Sequence, residues 1–304
     1  MQLEEIRQKI LNAPEAFVRE CEAEFSARID ALANAVAKER DQRPVVLLSG
    51  PSGSGKTTTA NLIEARLDSR GMETHMISLD NYFRDFTAED LELFRRNELD
   101  LESPDRVDGD LLSQQIEDLM RGRTVELPRY DFTTNSRVKS GKTLRLRPGE
   151  LLVFEGIHAL NPTLLASSND YTSRIYVSVR TRIEHGAADD RRLLHPSKVR
   201  LARRMIRDHR ERGRSLSTVV DIYDSVERGE NLYIMPHKHR ADYDVDNFIP
   251  YELCLYKGFL PASLPEDEAK HPWLSELFEV LGELPVLDPA TVPPHSLLRE
   301  FVGE

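Results

Sequence analysis

Short apolar runs alternate with stretches of helical periodicity along most of the chain, and this alternation predicts its elements. Apolar residues spaced three and four apart predict helices at 110–121, 198–212 and 216–228, with a further helical segment in 251–260. The short apolar runs are typical of strands buried on both faces. Strands alternating with helices predict an α/β fold with a mostly parallel sheet flanked by helices. The predicted strands are 45–49, 74–79, 151–154, 174–179 and 243–248.

The two ends of the chain have different patterns. Residues 1–43 place apolar side chains at near-helical spacing around Pro14, which starts or breaks a helix there. They predict an N-terminal helical extension, which either packs on the rest of the chain or forms the contact of a homo-oligomer. Residues 261–304 are rich in proline in their first part and predict a C-terminal wrap packed on the central domain at 44–260.

Composition narrows the class of protein. The chain has 304 residues, 39% of them hydrophobic and 31% charged, which describes an ordinary globular protein. No apolar run approaches the roughly 20 residues that cross a bilayer, and the acidic start at residues 1–5 lacks the apolar stretch of a secretory signal. Cys21 and Cys254 are too few for a disulfide framework, so a reducing cytoplasm is the expected location. The net charge of −11 argues against a general nucleic-acid surface.

The segment Gly50–Thr58 reads G-P-S-G-S-G-K-T-T and matches the pattern G-x-x-x-x-G-K-[ST]. It follows a predicted strand and opens a helical pattern that stops near Gly71. Glycines let successive backbone N–H groups turn inward, and the helix N-terminus adds its dipole, so the segment forms a phosphate cradle. Lys56 would reach the terminal phosphates, and the Thr57 hydroxyl would hold Mg²⁺. The chain is therefore predicted to bind a nucleoside triphosphate through Gly50, Ser52, Gly53, Ser54, Gly55, Lys56, Thr57 and Thr58.

Two carboxylates follow predicted strands, where ligands of open α/β sheets bind. Asp80 comes after the second strand and could accept a proton from an attacking hydroxyl or bind Mg²⁺ through water; the alternative is a helix N-cap or turn aspartate. Glu155 follows Leu151–Phe154 and fits a carboxylate near Mg²⁺; the alternative is a strand-end acid in solvent.

A basic block interrupts this acidic chain. From Arg191 to Arg214 there are ten Lys and Arg residues against only Asp208 and Glu211, on a helix that ends at Gly213. Spacing places Arg203, Arg207 and Arg210 on one face. Arginines grouped in this way could stabilise a transferring phosphoryl group, as a lid closing over the nucleotide would. The alternative is a solvated basic helix.

Residues 128–137, P-R-Y-D-F-T-T-N-S-R, mix aromatic and hydrogen-bonding side chains. Such a loop suits a flat polar ligand, although Tyr and Phe in loops more often pack. With the segments above, this one resembles the uridine kinase and phosphoribulokinase group of P-loop kinases, specifically its bacterial uridine kinase-like members. The segments that carry the resemblance are 50–58, 78–83, 128–137, 154–157 and 201–214, supported by 225–230, 234–236 and 293–303.

The resemblance implies a P-loop NTPase fold of the kinase type, with an Arg-rich lid at about 183–214. It implies ATP or GTP and Mg²⁺ as the phosphate donor and metal, and a nucleoside 5′-hydroxyl as acceptor. It further implies site residues. Catalytic roles fall on Asp80, Lys56 and Arg207, metal binding on Thr57 and Glu155, and nucleotide contacts on Arg204, Arg212 and Arg214. Substrate contacts fall on Asp80, Tyr82, Glu102, Tyr130, Asn135 and Arg137.

The chain departs from the family on the acceptor side. Glu102 lies where well-studied uridine kinases have a ribose-binding Asp, and Asn135 lies where they have a pyrimidine-contacting His. After the fourth strand, residues 178–181 stand in place of the family's D-T-D-A-D-x-R-L, and extra residues follow to about Arg200. The resemblance as a whole makes an ATP-dependent kinase acting on a uridine- or cytidine-like nucleoside the leading prediction. The alternatives are a kinase for a sugar phosphate or other alcohol, and a non-catalytic nucleotide-binding regulator.

Overall fold

A computed structural model of the chain describes residues 1–96, 98–164, 169–187 and 189–303. The predicted lid and wrap therefore include two positions, 188 and 304, that lie outside the described residues. The strands of the described part are β1 (Val45–Ser49), β2 (Thr74–Ser78), β3 (Thr124–Asp131), β4 (Ser136–Arg145), β5 (Leu151–Glu155), β6 (Thr172–Ser178), β7 (Ile183–His185), β8 (Arg192–Leu194) and β9 (Tyr243–Asp246).

The α-helices surround these strands, and short 3-10 turns join several of them. The helices are α1 (Leu3–Asn12), α2 (Pro14–Glu39), α3 (Lys56–Asp68), α4 (Ala88–Arg95), α5 (Gly109–Met120), α6 (Pro196–Arg212), α7 (Leu216–Tyr233), α8 (Glu252–Tyr256), α9 (Pro265–Lys270), α10 (Ser275–Glu283) and α11 (Arg299–Val302). None of the helices in the described ranges has the length and apolar character needed to cross a membrane.

The central sheet has the order β2-β5-β1-β6-β9, and every neighbouring pair is parallel. All five predicted strands are confirmed, with the fourth beginning two residues earlier, at Thr172, and the fifth ending at Asp246. Every residue of β1 and β5 is buried, because helices cover both faces of the sheet. The predicted α/β fold with a mostly parallel sheet is therefore confirmed.

The connections of the sheet locate the cleft. Chain order places β5 on one side of β1 and β6 on the other, so the topology reverses at β1. In such sheets, ligands bind beyond the carboxyl ends of the strands at the reversal point. The glycine-rich segment leaves β1 at this end and leads directly into α3.

The N-terminal helices are part of the main core. Pro14 is the first residue of α2, where a missing N–H costs nothing. Ile6 of α1 and Ile29 and Val36 of α2 are fully buried within the chain, in the same cluster as apolar residues of α3 and α6. These side chains therefore pack on the rest of the chain, which was one of the two predicted uses of this segment; the homo-oligomer contact stays a prediction.

The segment 128–137, treated from sequence as a loop, is mostly strand. Strands β3 and β4 form an antiparallel hairpin whose turn lies between Asp131 and Ser136. The pairing shifts between Glu126 and Pro128, as expected where a proline cannot donate to the ladder. A second, shorter hairpin joins β7 to β8 inside the insertion that precedes α6.

The C-terminal residues contribute core side chains. Leu274 and Leu277, near the start of α10, are fully buried, as is Phe301 of α11. The helical segment predicted at 251–260 is shorter in the structure, since α8 ends at Tyr256. The division of the chain at residues 43 and 260 stays a prediction.

Candidate active site

The glycine-rich loop packs too closely against its surroundings for side chains at three positions. Gly53 and Gly55 have φ values of +72° and +81°, in the left-handed region that favours glycine. A Cβ on Gly50 would lie 2.0 Å from the Val177 carbonyl oxygen of β6. The glycines of the pattern therefore meet two requirements: Gly53 and Gly55 adopt the left-handed backbone of the turn, and Gly50 lets the loop approach β6.

Distant residues hold the loop in place. Asn247, fully buried after β9, donates its amide to the Ser54 carbonyl (2.9 Å) and the Thr59 hydroxyl (2.7 Å). Arg203 of α6 donates to the Gly53 carbonyl at 3.2 Å. These contacts satisfy backbone oxygens of the loop, so buried side chains of the core help to hold its shape. Sequence reasoning missed Asn247, because only the sheet brings it to the loop.

Ser52 is surrounded by charged side chains from α6 and α7. Its backbone N–H donates to Glu230 at 2.9 Å, and its hydroxyl accepts from Arg204 at 2.7 Å. Arg200 joins Glu230 in a bidentate pair of 2.7 and 2.8 Å and also donates to the Ser52 carbonyl. Since Arg200 and Arg204 are buried, the alternative of a solvated basic helix is wrong for this part of α6.

Lys56, the first residue of α3, lies among carboxylates. Its ammonium group donates to the Pro51 carbonyl at 3.1 Å. Burial lowers the pKa of Lys56, an effect that Glu155, Glu300 and Asp80 oppose. The predicted lysine and both predicted strand-end carboxylates therefore share one site, together with Glu300, which sequence reasoning did not single out.

Asp80 and Glu155 reach the site from adjacent strands. Ser78 at the end of β2 is aligned with Glu155 at the end of β5, and Asp80 follows in a 3-10 turn. The Ser78 hydroxyl caps that turn by accepting from the Asp80 N–H at 3.4 Å, so the reading of Asp80 as the cap is wrong. Glu155 is 9% exposed, so the reading of a solvated strand-end acid is also wrong.

The two carboxylates differ in exposure but share an electrostatic environment. Asp80 is exposed to solvent, yet desolvation by nearby protein atoms raises its pKa, and the charges of Lys56 and Arg212 oppose that rise. Burial likewise raises the pKa of Glu155; Lys56 opposes this, and the charge of Asp80 adds to it. The two carboxylates repel each other, and with the hydroxyl of Thr57, the exposed residue that follows Lys56 in α3, they offer hard oxygen donors. Such a set fits Mg²⁺.

Thr58 has a partner at the far end of the chain. Its hydroxyl donates to the Glu300 carboxylate of α11. The same helix region supplies Leu297, whose Cδ1 would lie 2.7 Å from a Cβ on Gly55. The C-terminal segment thus forms one wall of the glycine-rich loop. The only sequence signal for it was the resemblance of residues 293–303 to the family.

Four of the predicted arginines converge on one residue, Asp208, which is fully buried. They form ion pairs with it at 3.7 Å (Arg204), 2.9 Å (Arg207), 3.4 Å (Arg212) and 3.3 Å (Arg214). Arg203, Arg207 and Arg210, which were predicted to share a face, all lie on α6 but have different partners. Arg203 pairs with Glu252 in the interior, Arg207 pairs with Asp208, and the Arg210 guanidinium carbon lies 5.5 Å from the centre of the Phe259 ring. The movement implied by the word lid stays a prediction.

Three of the predicted substrate contacts have internal partners. Tyr82 is fully buried, with its hydroxyl donating to Gln115 at 2.8 Å, so the structure does not bring it to the cleft. Asn135 lies in the β3–β4 turn with φ +49°, a conformation that asparagine tolerates, and its carbonyl accepts from Phe86. Arg137 pairs with Asp108 at 2.9 Å. The positive φ at Asn135 is by itself a sufficient reason for an asparagine at that position.

Tyr130 is nearly fully buried on β3 and belongs to an aromatic cluster. Its ring meets Phe83 edge-on at 5.6 Å and Phe132 at 5.1 Å. Phe132 is 62% exposed at the tip of the hairpin, so it is this residue that presents an aromatic surface to solvent. Sequence reasoning placed Tyr130 and Phe132 in one candidate segment but selected the covered ring of the two.

Glu102 lies close to the phosphate loop. Burial raises its pKa to about 7, with Arg204 and Lys56 opposing the rise. A Cβ on Gly229 of α7 would lie 2.4 Å from the Glu102 Cβ, so that glycine lets the segment carrying Glu102 approach. His158, three residues beyond Glu155, is 2% exposed beside this segment, and burial lowers its pKa to about 4. Sequence reasoning missed His158.

Known proteins resemble the central part of this chain. The model described as "Phosphoribulokinase / Uridine kinase family" matches residues 45–186 and 193–250. The chain is 33% identical over 199 residues to the uridine kinases of Staphylococcus haemolyticus (strain JCSC1435) and Staphylococcus aureus (strain JH9), covering 65% of this chain and 84% of each relative. A solved structure described as "a Possible Uridine Kinase from Bacillus stearothermophilus" is 19% identical, with a TM-score of 0.48 over 73% of this chain and 100% of that one.

Proposed function

Because this chain belongs to the phosphoribulokinase/uridine kinase family of P-loop kinases, we propose that it transfers the γ-phosphoryl group of ATP to the 5′-hydroxyl of a nucleoside such as uridine or cytidine. One observation carries the proposal: adjacent strand ends place Asp80 and Glu155 in one site with Lys56 of the glycine-rich loop. That combination supplies a base, a metal ligand and a phosphate-binding cation.

In the proposed reaction, the acceptor hydroxyl oxygen attacks the γ-phosphorus in line with the leaving oxygen. The bond to the β-phosphate oxygen breaks, ADP leaves, and Asp80 accepts the proton of the hydroxyl. A carboxylate with a raised pKa suits this role, because it holds the proton more readily than an ordinary aspartate. Lys56 and the loop N–H groups hold the phosphates during transfer.

Thr57 and Glu155 would hold the Mg²⁺ that accompanies the nucleotide. When bound, the ion neutralises charge on the phosphate oxygens. Arg207, together with the nucleotide-contacting Arg204, Arg212 and Arg214, would stabilise the charge that spreads over the transferring group and help to exclude water.

Two kinds of acceptor fit the site. The two staphylococcal relatives are uridine kinases, which favours a nucleoside. A second candidate is a kinase for a sugar phosphate or another alcohol. The positive charges of Arg204 and Lys56 near Glu102 favour it, because they would attract an acidic acceptor. Tyr130, Asn135 and Arg137 stay predicted substrate contacts, and a reducing cytoplasm stays the expected location.

An acceptor panel with γ-labelled ATP or GTP tests the proposal. The purified chain is incubated with Mg²⁺ and either uridine, cytidine, purine nucleosides, sugar phosphates or simple polyols, and labelled product is counted. Labelled nucleoside monophosphate is the expected product. Label in acidic acceptors alone would replace the nucleoside by the second candidate. Tight ATP binding with no labelled product from any acceptor would instead indicate a non-catalytic nucleotide-binding regulator.

A further inference from the structure

Asp208 organises the arginines of α6 around a single buried carboxylate. Its Oδ1 accepts two hydrogen bonds from Arg207, at 3.0 and 2.9 Å, and pairs with Arg212 at 3.4 Å. Its Oδ2 pairs with Arg214 at 3.3 Å and with Arg204 at 3.7 Å. Both oxygens are therefore shared, while the aspartate itself has no exposure to solvent.

The local sequence produces this convergence. Arg204 and Arg212 are four residues before and after Asp208, so all three lie on one face of α6. Gly213 ends the helix with φ +64°, and the chain turns back so that the Arg214 N–H donates to the Asp208 carbonyl at 3.1 Å. A left-handed glycine cap is thus what returns Arg214 to the carboxylate.

The charges around Asp208 do not balance. Four guanidinium groups face one carboxylate, which leaves a net charge of about +3 in a small volume. Arg212 and Arg214 remain 50% and 41% exposed, so part of each guanidinium group is accessible to a ligand. An arrangement of this kind attracts a polyanion while holding its own groups in fixed positions.

The arginines around Asp208 also reach the phosphate site. Arg204 donates to the Ser52 hydroxyl of the glycine-rich loop at 2.7 Å. The charge of Arg207 acts on Lys56, and the charge of Arg212 acts on Asp80. The arginines around Asp208 therefore act electrostatically on both the phosphate-binding lysine and the proposed base.

We propose that Asp208 is a positioning residue: it holds Arg207, Arg212 and Arg214 in place before the nucleotide arrives, so that they bind the terminal phosphate without rearranging. This inference rests on the proposed function. In the proposal the arginines contact the γ-phosphate. Asp208 should therefore contribute more to binding of the γ-phosphate than to binding of the rest of the nucleotide.

The test compares a triphosphate with a diphosphate. Affinities for Mg²⁺ with β,γ-imido-ATP and for Mg²⁺ with ADP are measured by calorimetry on the wild-type chain and on Asp208→Asn, which preserves shape and removes charge. At metal sites, loss of a residue that orients the ligands from behind lowers affinity by about ten- to a hundredfold. By analogy, we expect Asp208→Asn to weaken binding of the triphosphate by about tenfold and binding of ADP by less than about twofold. The control is Asp267→Asn, at a buried aspartate that accepts from Ser217, and it should change neither affinity.

Equal losses for both ligands, or no loss for either, would overturn the positioning role. If Asp208→Asn fails to fold, Asp208→Glu keeps the charge but shifts it outward, and a smaller loss confined to the triphosphate is expected. Because these measurements need no acceptor, they separate the two proposals. A chain with no transfer activity but a selective triphosphate loss would retain the positioning role and reject the proposed reaction.

Discussion

The guanidinium group of Arg203 and the carboxylate of Glu252 form an ion pair in the interior, with Nε 2.7 Å from Oε2 and neither side chain exposed. Arg203 also donates to the carbonyls of Gly53 and Asn247, and Glu252 accepts from the Ile249 N–H. The pair therefore connects α6 and α8 to the glycine-rich loop. In this way the packing of the C-terminal third influences the shape of the nucleotide site.

Removing one partner of this pair should destabilise the whole chain. Glu252→Gln leaves the Arg203 charge buried without its counterion, which we expect to lower the free energy of unfolding by about 3 to 5 kcal/mol. Urea denaturation measures the change. The matched control Glu266→Gln removes an exposed carboxylate and should shift the free energy by less than about 0.5 kcal/mol. A similar small shift for Glu252→Gln would contradict the argument.

Asp80→Asn tests the proposed base. The amide retains the shape of the side chain but cannot accept the proton, so the transfer rate should fall by about a hundredfold or more while ATP binding stays nearly unchanged. Single-turnover assays with labelled ATP measure the rate, and calorimetry measures binding. Asp110→Asn, at an exposed position on α5, serves as the control and should leave both unchanged. Unchanged turnover in Asp80→Asn would exclude Asp80 as the base.

Glu102 should make stability depend on pH. Its pKa is raised from 4.5 to about 7 in the folded chain, so between these values the folded state binds a proton that the unfolded state has released. The free energy of unfolding therefore decreases as pH rises through this window. Glu102→Gln should lose this contribution, so its free energy of unfolding should decrease less between pH 5 and 7.5 than that of the wild type. Urea denaturation at pH 5 and 7.5 measures the difference, with Glu98→Gln, at an exposed glutamate, as control. Parallel pH profiles for wild type and Glu102→Gln would refute the prediction.

Glu300 should weaken the binding of phosphate groups. Its carboxylate contacts Thr58 and acts electrostatically on Lys56, so it repels a nucleotide that lacks a metal. Glu300→Gln removes that repulsion, which we place at about 1 kcal/mol, or about fivefold tighter binding of metal-free ADP. The gain should shrink in high salt. Calorimetry with and without salt measures it, and Glu283→Gln on α10 is the exposed control. Weaker binding in Glu300→Gln would show that the contact supports the loop instead.

Two glycine substitutions should change stability in opposite directions. Gly55→Ala forces a φ of +81° on a residue with a Cβ and places that Cβ near Leu297, so stability should fall by at least about 1 kcal/mol and nucleotide binding should weaken. Gly282 lies in α10 with no atom within 4 Å of an added Cβ. Gly282→Ala should therefore stabilise by about 0.5 to 1 kcal/mol. Thermal unfolding and calorimetry of both variants provide the measurements.

Most of the sheet could be predicted from the sequence because its signals are local. Strands buried on both faces appear as short apolar runs, and the loop at 50–58 requires glycines at fixed spacing. The hairpin at 124–145 could not be recognised in the same way. Its residues are largely polar and partly exposed, and Pro128 interrupts its pattern, so little distinguishes it from a loop.

The sequence by itself determined the phosphate loop, the strands beside it and the two carboxylates that follow them. Only the tertiary structure decided what surrounds these residues: Asn247 meets Thr59 across 188 positions, and Glu300 meets Thr58 across 242. It also decided that Tyr82 packs internally and that four arginines share Asp208. The physical reason is that strand and turn preferences act between near neighbours, whereas the partner of a buried charge is set by which distant segments the core brings together.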